Sequence, residues 1–223
     1  MRLIAAMIFL ALAFSKNSRA QDNDSPVTPP TRDMSVGLFN QKDFTGWKFV
    51  MKDNTDPLKT WSITNGIIHC TGKATGYLRT AQVYSNYFLT VVWRFVKTTP
   101  QADDTGIFVH IQPPDKIWPQ CVQVQGRHGH QGDLILMGGA TAKETRGKNA
   151  STTVPLPDDP VEVTVGEWNK AETICIHNKV ECFMNSKFVN EISGCTLNSG
   201  YIGIQSEGGE FEIRSIDYTP LKY

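Results

Sequence analysis

The sequence predicts an all-β chain folded as a two-sheet antiparallel β-sandwich of the jelly-roll kind. Three observations lead there. Apolar and polar residues alternate with period two along most of the chain, which sends successive side chains to opposite faces of a strand. The breaks between these runs are rich in Gly, Asn, Asp and Pro, the residues that turn a backbone. No stretch of any length carries a helical repeat.

Met1-Arg2 gives a positive start, and Leu3 to Phe14 is an apolar run too short to cross a bilayer core of about 30 Å. Ser18-Arg19-Ala20 then places small residues at the first and third positions before a cut. Residues 1–20 therefore read as a secretory signal peptide, and the mature chain as secreted or periplasmic. No later segment has the length of a membrane span. Residues 21–35 hold Pro26, Pro29 and Pro30 among polar residues and read as a flexible leader. Residues 36–223 form a single β-sandwich domain, long enough to bury a full core. Without residues 1–20 the chain has 19 basic against 22 acidic residues. A slightly acidic balance argues against a nucleic-acid partner, which needs a basic footprint.

Phe88–Phe95 turns Leu89, Val91, Trp93 and Phe95 to one face. Thr105–Ile111 does so with Ile107, Val109 and Ile111, and Cys121–Gln125 with Val122 and Val124. Glu172–His177 and Val180–Asn185 read as a hairpin turning at Asn178-Lys179. That register sets Cys175 opposite Cys182, as a disulfide or as two buried thiols. Tyr201–Ser206 and Glu210–Ile216 close the chain. Residues 138–160, with Pro155, Pro157 and Pro160, lack a period and read as a long loop, functional or merely superficial.

With the aliphatic residues turned inward, Thr90, Val92 and Arg94 face outward. So do Phe108 and His110, then Cys121, Gln123 and Gln125, then Tyr201, Gly203, Gln205 and Glu207. Fixed amides beside aromatic surface suit a sugar, which has an apolar ring face and a rim of hydroxyls. An ordinary exposed sheet is the competing reading. Trp118, in the Pro113–Pro119 loop, is a sugar platform or plain packing. Gln125–Asp133 carries Arg127, His128, His130 and Asp133 among three glycines. That turn reads as acid/base machinery, as a solvated turn, or as a divalent-metal site with His128, His130 and Asp133 as ligands. The spacing matches no specific metal motif, and no other cofactor is indicated.

Six segments in order resemble the 3-keto-disaccharide hydrolase domain family. They are Leu38–Trp47 (LFNQKDFTGW), Trp61–Cys70 (WSITNGIIHC), Gly76–Thr80 (GYLRT), Thr105–Val109 (TGIFV), Cys121–Gln125 (CVQVQ), and Ile202–Gly209 with Phe211–Ile216. The resemblance implies a concanavalin-like jelly roll and a glycoside ligand already oxidised at sugar C3. The ketone acidifies the C2 hydrogen, so a base can remove it, the C1 leaving group departs and water adds back. On this reading His110 or His128 is the base and Glu207 a second proton-transfer group. Arg94, Gln123, Gln125 and Gln205 hold the sugar, and Tyr77, Arg79 and Trp118 line the groove. One departure stands out: where the family pattern carries Glu in "EVQ", this chain has Gln123, which cannot act as a base. A non-catalytic sugar-binding module is the alternative.

Overall fold

The computed structural model describes residues 34–96, 104–147 and 151–222. The expected signal peptide and most of the expected leader lie outside the described residues. Fifteen strands and a few short 3-10 turns make up the described fold. No helix among the described residues is long and apolar enough to cross a membrane.

Two antiparallel sheets face each other, as expected. The first runs β13 (Lys187–Ile192), β12 (Lys179–Met184), β11 (Asn169–Ile176), β6 (Tyr87–Phe95), β15 (Phe211–Pro220), β4 (Ile67–Cys70), β3 (Trp61–Thr64), with β1 (Val36–Gly37) also on β15. The second runs β10 (Thr153–Val154), β9 (Leu134–Met137), β8 (Cys121–Gln125), β7 (Gly106–Ile111), β14 (Tyr201–Ser206), β5 (Gly76–Thr80), β2 (Trp47–Met51). Leu89, Val91, Trp93 and Phe95 of β6 meet Ile107, Val109, Val122, Val124, Leu136 and Ile204 across the interior. Each such aliphatic side chain contributes roughly 1.5–3 kcal/mol by leaving water. Edge-on aromatic pairs, Trp61 with Phe211 and Trp93 with Phe95, fill the wider gaps.

Three sequence expectations are corrected here. First, β7 carries a bulge. Phe108 pairs with Gly203 and Ile111 with Tyr201, so three residue steps on β7 match two on β14. His110 takes up the extra residue with φ of 57°. The alternation then inverts: Ile111 joins Tyr77, Phe108 and Cys121 on the outer face, and His110 turns inward against Tyr87. Gly200 lets the neighbouring chain pass, since a Cβ there would sit 2.3 Å from the His110 carbonyl carbon. Second, the late hairpin turns at His177-Asn178, with Ile176 opposite Lys179. Cys175 therefore faces Val180 and Cys182 faces Thr173, and all five cysteines are free and buried. Third, β6 belongs to the first sheet, whereas β7, β8 and β14 form the second. The outward residues of β6 thus lie on the far side of the molecule from those of β8. In the 138–160 stretch, β10 adds a short strand to β9, and residues 148–150 lie outside the described residues.

Candidate functional site

The outer face of the second sheet is where the amides gather. Gly106 lies opposite Gln125 in register and has no side chain. The Gln123 side chain fills the space above it: a Cβ on Gly106 would come within 2.6 Å of the Gln123 amide nitrogen. Gln123, Gln125 and Gln205 are all buried. Gln123 Nε2 donates to Gln125 Oε1 at 3.1 Å and to Gln205 Oε1 at 2.9 Å. Gln205 Nε2 donates to Glu207 Oε2 at 2.6 Å. Gln125 Oε1 also accepts from the backbone N–H groups of Gly126 and Arg127. Among the described residues this leaves Gln123 Oε1 and Gln125 Nε2 without a partner, one acceptor and one donor on a rigid row. A glycoside hydroxyl is both donor and acceptor and can satisfy the pair.

The row ends in charge. β7 begins, and β8 and β14 end, at the same margin of the sheet. Thr105 Oγ1 donates to the Gln205 carbonyl at 2.8 Å, Gly126 N to the Thr105 carbonyl at 2.8 Å, and Gly209 N to the Asp104 carbonyl at 3.4 Å. Asp104 is thereby set beside Glu207, Arg127 and His130. Its Oδ1 is shut off from solvent and accepts no hydrogen bond from the described residues. Burial raises the Asp104 pKa to about 6, with Arg127 opposing the shift. Burial, and the Asp104 charge after it, raise that of Glu207 as well. Asp104 escaped the sequence reading because Asp103-Asp104, beside an unpatterned segment, looks like loop.

The other end of the face is covered. Asp115, in the 112–120 loop, takes both Arg79 Nε (2.8 Å) and Arg79 Nη2 (2.7 Å). The Arg79 guanidinium also lies 4.0 Å from the centre of the Tyr201 ring and donates to the Thr80 carbonyl. The bidentate pair raises the Arg79 pKa. Tyr77 is fully buried beneath, its hydroxyl near Asp115 and the Lys116 backbone, and burial raises its pKa. Arg79 and Tyr77 thus hold the loop rather than face an open groove. Trp118, in the same loop, is 48 % exposed.

The remaining sequence candidates separate. His110 does not reach this face: the bulge buries it completely, and burial pushes its pKa down to about 4. Arg94 is also removed, on the first sheet, where it pairs with Glu212 and stacks on Trp168. His128 and His130 do not converge. His128 Nδ1 meets Glu162, whereas His130 Nδ1 lies 3.0 Å from Asp133 Oδ2. Asp133 is buried, its Oδ1 accepting from Leu156 N at 2.7 Å. No group of three or more metal-ligating side chains occurs among the described residues. The His130–Asp133 pair instead borders an open pocket of about 490 Å³, lined also by Ser151, Thr153, Leu156 and Asp158.

The family described as the 3-keto-alpha-glucoside-1,2-lyase-like domain matches residues 35–219. The chain belongs to this family. Among curated proteins it is similar to a 3-keto-disaccharide hydrolase of Bacteroides thetaiotaomicron, 26 % identical over 204 residues. That match covers 82 % of this chain and 66 % of the relative, so the chain spans just under two thirds of the relative's length. Among solved structures it is similar to a candidate glycosyl hydrolase of Parabacteroides distasonis, with TM-score 0.63 and 19 % identity, covering 84 % of this chain and 94 % of that one. A carbohydrate-binding module of Bacillus subtilis superposes with TM-score 0.56 at 8 % identity, covering 78 % and 95 %. These likenesses establish the family's jelly-roll sandwich for this chain.

Proposed function

We propose that this protein is an exported, carbohydrate-active enzyme that cleaves 3-keto-glycosides by proton abstraction at C2 and elimination at C1, followed by water addition. The observation that carries the reading is the buried Gln123–Gln125–Gln205 row ending in Glu207, on a chain of this family. A row of cross-linked amides has few degrees of freedom to lose on binding, so its free acceptor and donor select hydroxyls at fixed spacing. The chemistry needs a base at C2 and an acid at the departing oxygen. His130, oriented by buried Asp133, is the acid this reading favours, and the 490 Å³ pocket beside it receives the leaving group.

The test is a 3-keto-glucoside with a chromogenic leaving group, set against the same glucoside unoxidised. Release from the keto compound alone is expected, and His130→Ala should slow it by about 10²-fold or more. Release from neither compound overturns the enzyme reading. One feature, Gln123 in place of the family's Glu, supports a second reading as a sugar-binding module. That reading predicts saturable binding of the unoxidised sugar without turnover.

A further inference from the structure

We infer that Asp104 is the base that removes the C2 proton, an assignment that rests on the proposed keto-glycoside chemistry. Three observations converge on it. Position comes first: Asp104 stands where the β7, β8 and β14 ends meet, against the charged end of the amide row. Gln123, Gln125 and Gln205 are amides and cannot take a proton, and Glu207 is engaged by the Gln205 amide at 2.6 Å. Of the imidazoles that the sequence offers as base, His110 is inside the sandwich and His128 is paired with Glu162.

Satisfaction is the second. A buried carboxylate oxygen is normally hydrogen-bonded, because an unpaired one forfeits its hydration. Asp104 Oδ1 is shielded from solvent and accepts from no donor among the described residues. A structural aspartate would be anchored through that atom. An oxygen kept bare in a site is instead suited to accept a proton from a ligand.

Electrostatics is the third. Burial disfavours the charged form of Asp104, while Arg127 and His130 favour it. The carboxylate is therefore ionised at neutral pH yet more basic than a solvated aspartate, as a carbon acid requires.

The step balances. Asp104 takes the C2 hydrogen as a proton. The C–H electron pair forms the C2–C3 double bond, and the C3 carbonyl pair moves onto oxygen as an enolate. Collapse of the enolate restores the C3 carbonyl, forms the C1–C2 double bond and breaks the C1–O bond. The departing oxygen leaves with that pair and receives a proton from the site's acid. In hydrolysis water then adds to C1, its proton regenerates the acid, and Asp104 returns its proton to C2. Nothing is oxidised or reduced overall.

The experiment follows exchange of the C2 hydrogen of a 3-keto-glucoside in D2O by NMR, together with leaving-group release. Asp104→Asn removes the basicity and keeps the shape. It should lose C2 exchange and release together by about 10²-fold or more, with affinity for the keto sugar within about threefold of wild type. Exchange by Asp104→Asn within about fivefold of wild type overturns the assignment. Should the Asn variant fail to bind or fold, Asp104→Glu decides: a carboxylate there restores measurable exchange, and a folded, ligand-binding Glu variant without exchange overturns the assignment. A wild-type protein that neither exchanges C2 nor releases the leaving group fails the functional reading itself, a different result from either variant outcome.

Discussion

His110 and Asp104 are both titratable, both shifted by burial, and opposite in how their stability contributions change with pH. Between pH 6.5 and about 4 the unfolded chain protonates His110 while the folded chain, whose imidazole is depressed to about 4, does not. Stability is therefore lost as pH falls through that window, by roughly 3 kcal/mol. His110→Asn, which tolerates the left-handed backbone at φ 57°, should unfold earlier at pH 7 yet show a flatter profile from pH 6.5 to 4. Denaturant midpoints measured across that range test this. Asp104 runs the other way. Its pKa is raised to about 6 in the fold, so its cost is complete above pH 6 and fades as pH falls toward 3.8. Solvent screening limits that cost to about 1–2 kcal/mol at this half-buried site. Asp104→Asn should thus raise the melting temperature at pH 7 by about 2–5 °C, with the gain gone below pH 4. A site residue whose neutral replacement stabilises the protein is held for chemistry at the expense of stability.

At the scale of strands and loops, the period-two pattern read the middle strands correctly until the backbone broke the period. Leu89 to Phe95 and Val122 to Val124 face the core as the alternation requires. One bulged residue then put Ile111 outside and His110 inside, and nothing in the apolar pattern of β7 marks it. The late hairpin failed by one position for a similar reason: the turn lies at His177-Asn178, and a one-residue shift re-pairs every cysteine in it. The amide row is a property of three neighbouring strands and depends on one absent side chain. Gly106→Ala should leave the fold standing, since the β7 backbone there is ordinary. Its Cβ would displace Gln123, detach it from Gln125 and Gln205, and weaken keto-sugar binding by about tenfold. Titration calorimetry with the 3-keto sugar measures this.

For the whole molecule, family-level segments and strand identities were legible, and sheet membership was not. Arg94 looked adjacent to Gln123 because β6 and β8 alternate alike, yet β6 is paired with β11 and β15 in the opposite layer. Asp104 and Glu207 are 103 residues apart in the chain and meet because β7 and β14 pair. Such long-range pairing also makes folding all-or-none. β15 lies between β6 and β4 and carries β1 as well. A chain ending before Phe211 should therefore show no cooperative melting by circular dichroism. The five buried thiols, four on strands of the two sheets and Cys195 beyond β13, also make the protein its own opening sensor. A cysteine shielded from solvent reacts with an alkylating reagent only when its surroundings part, so the rate at each position times a separate local excursion. Cys121 belongs to the patch under the 112–120 loop, whereas Cys70, Cys175 and Cys182 lie between the layers. Asp115→Ala, by unfastening that loop from Arg79, should quicken the labelling of Cys121 alone and leave the interlayer thiols on the clock of global unfolding.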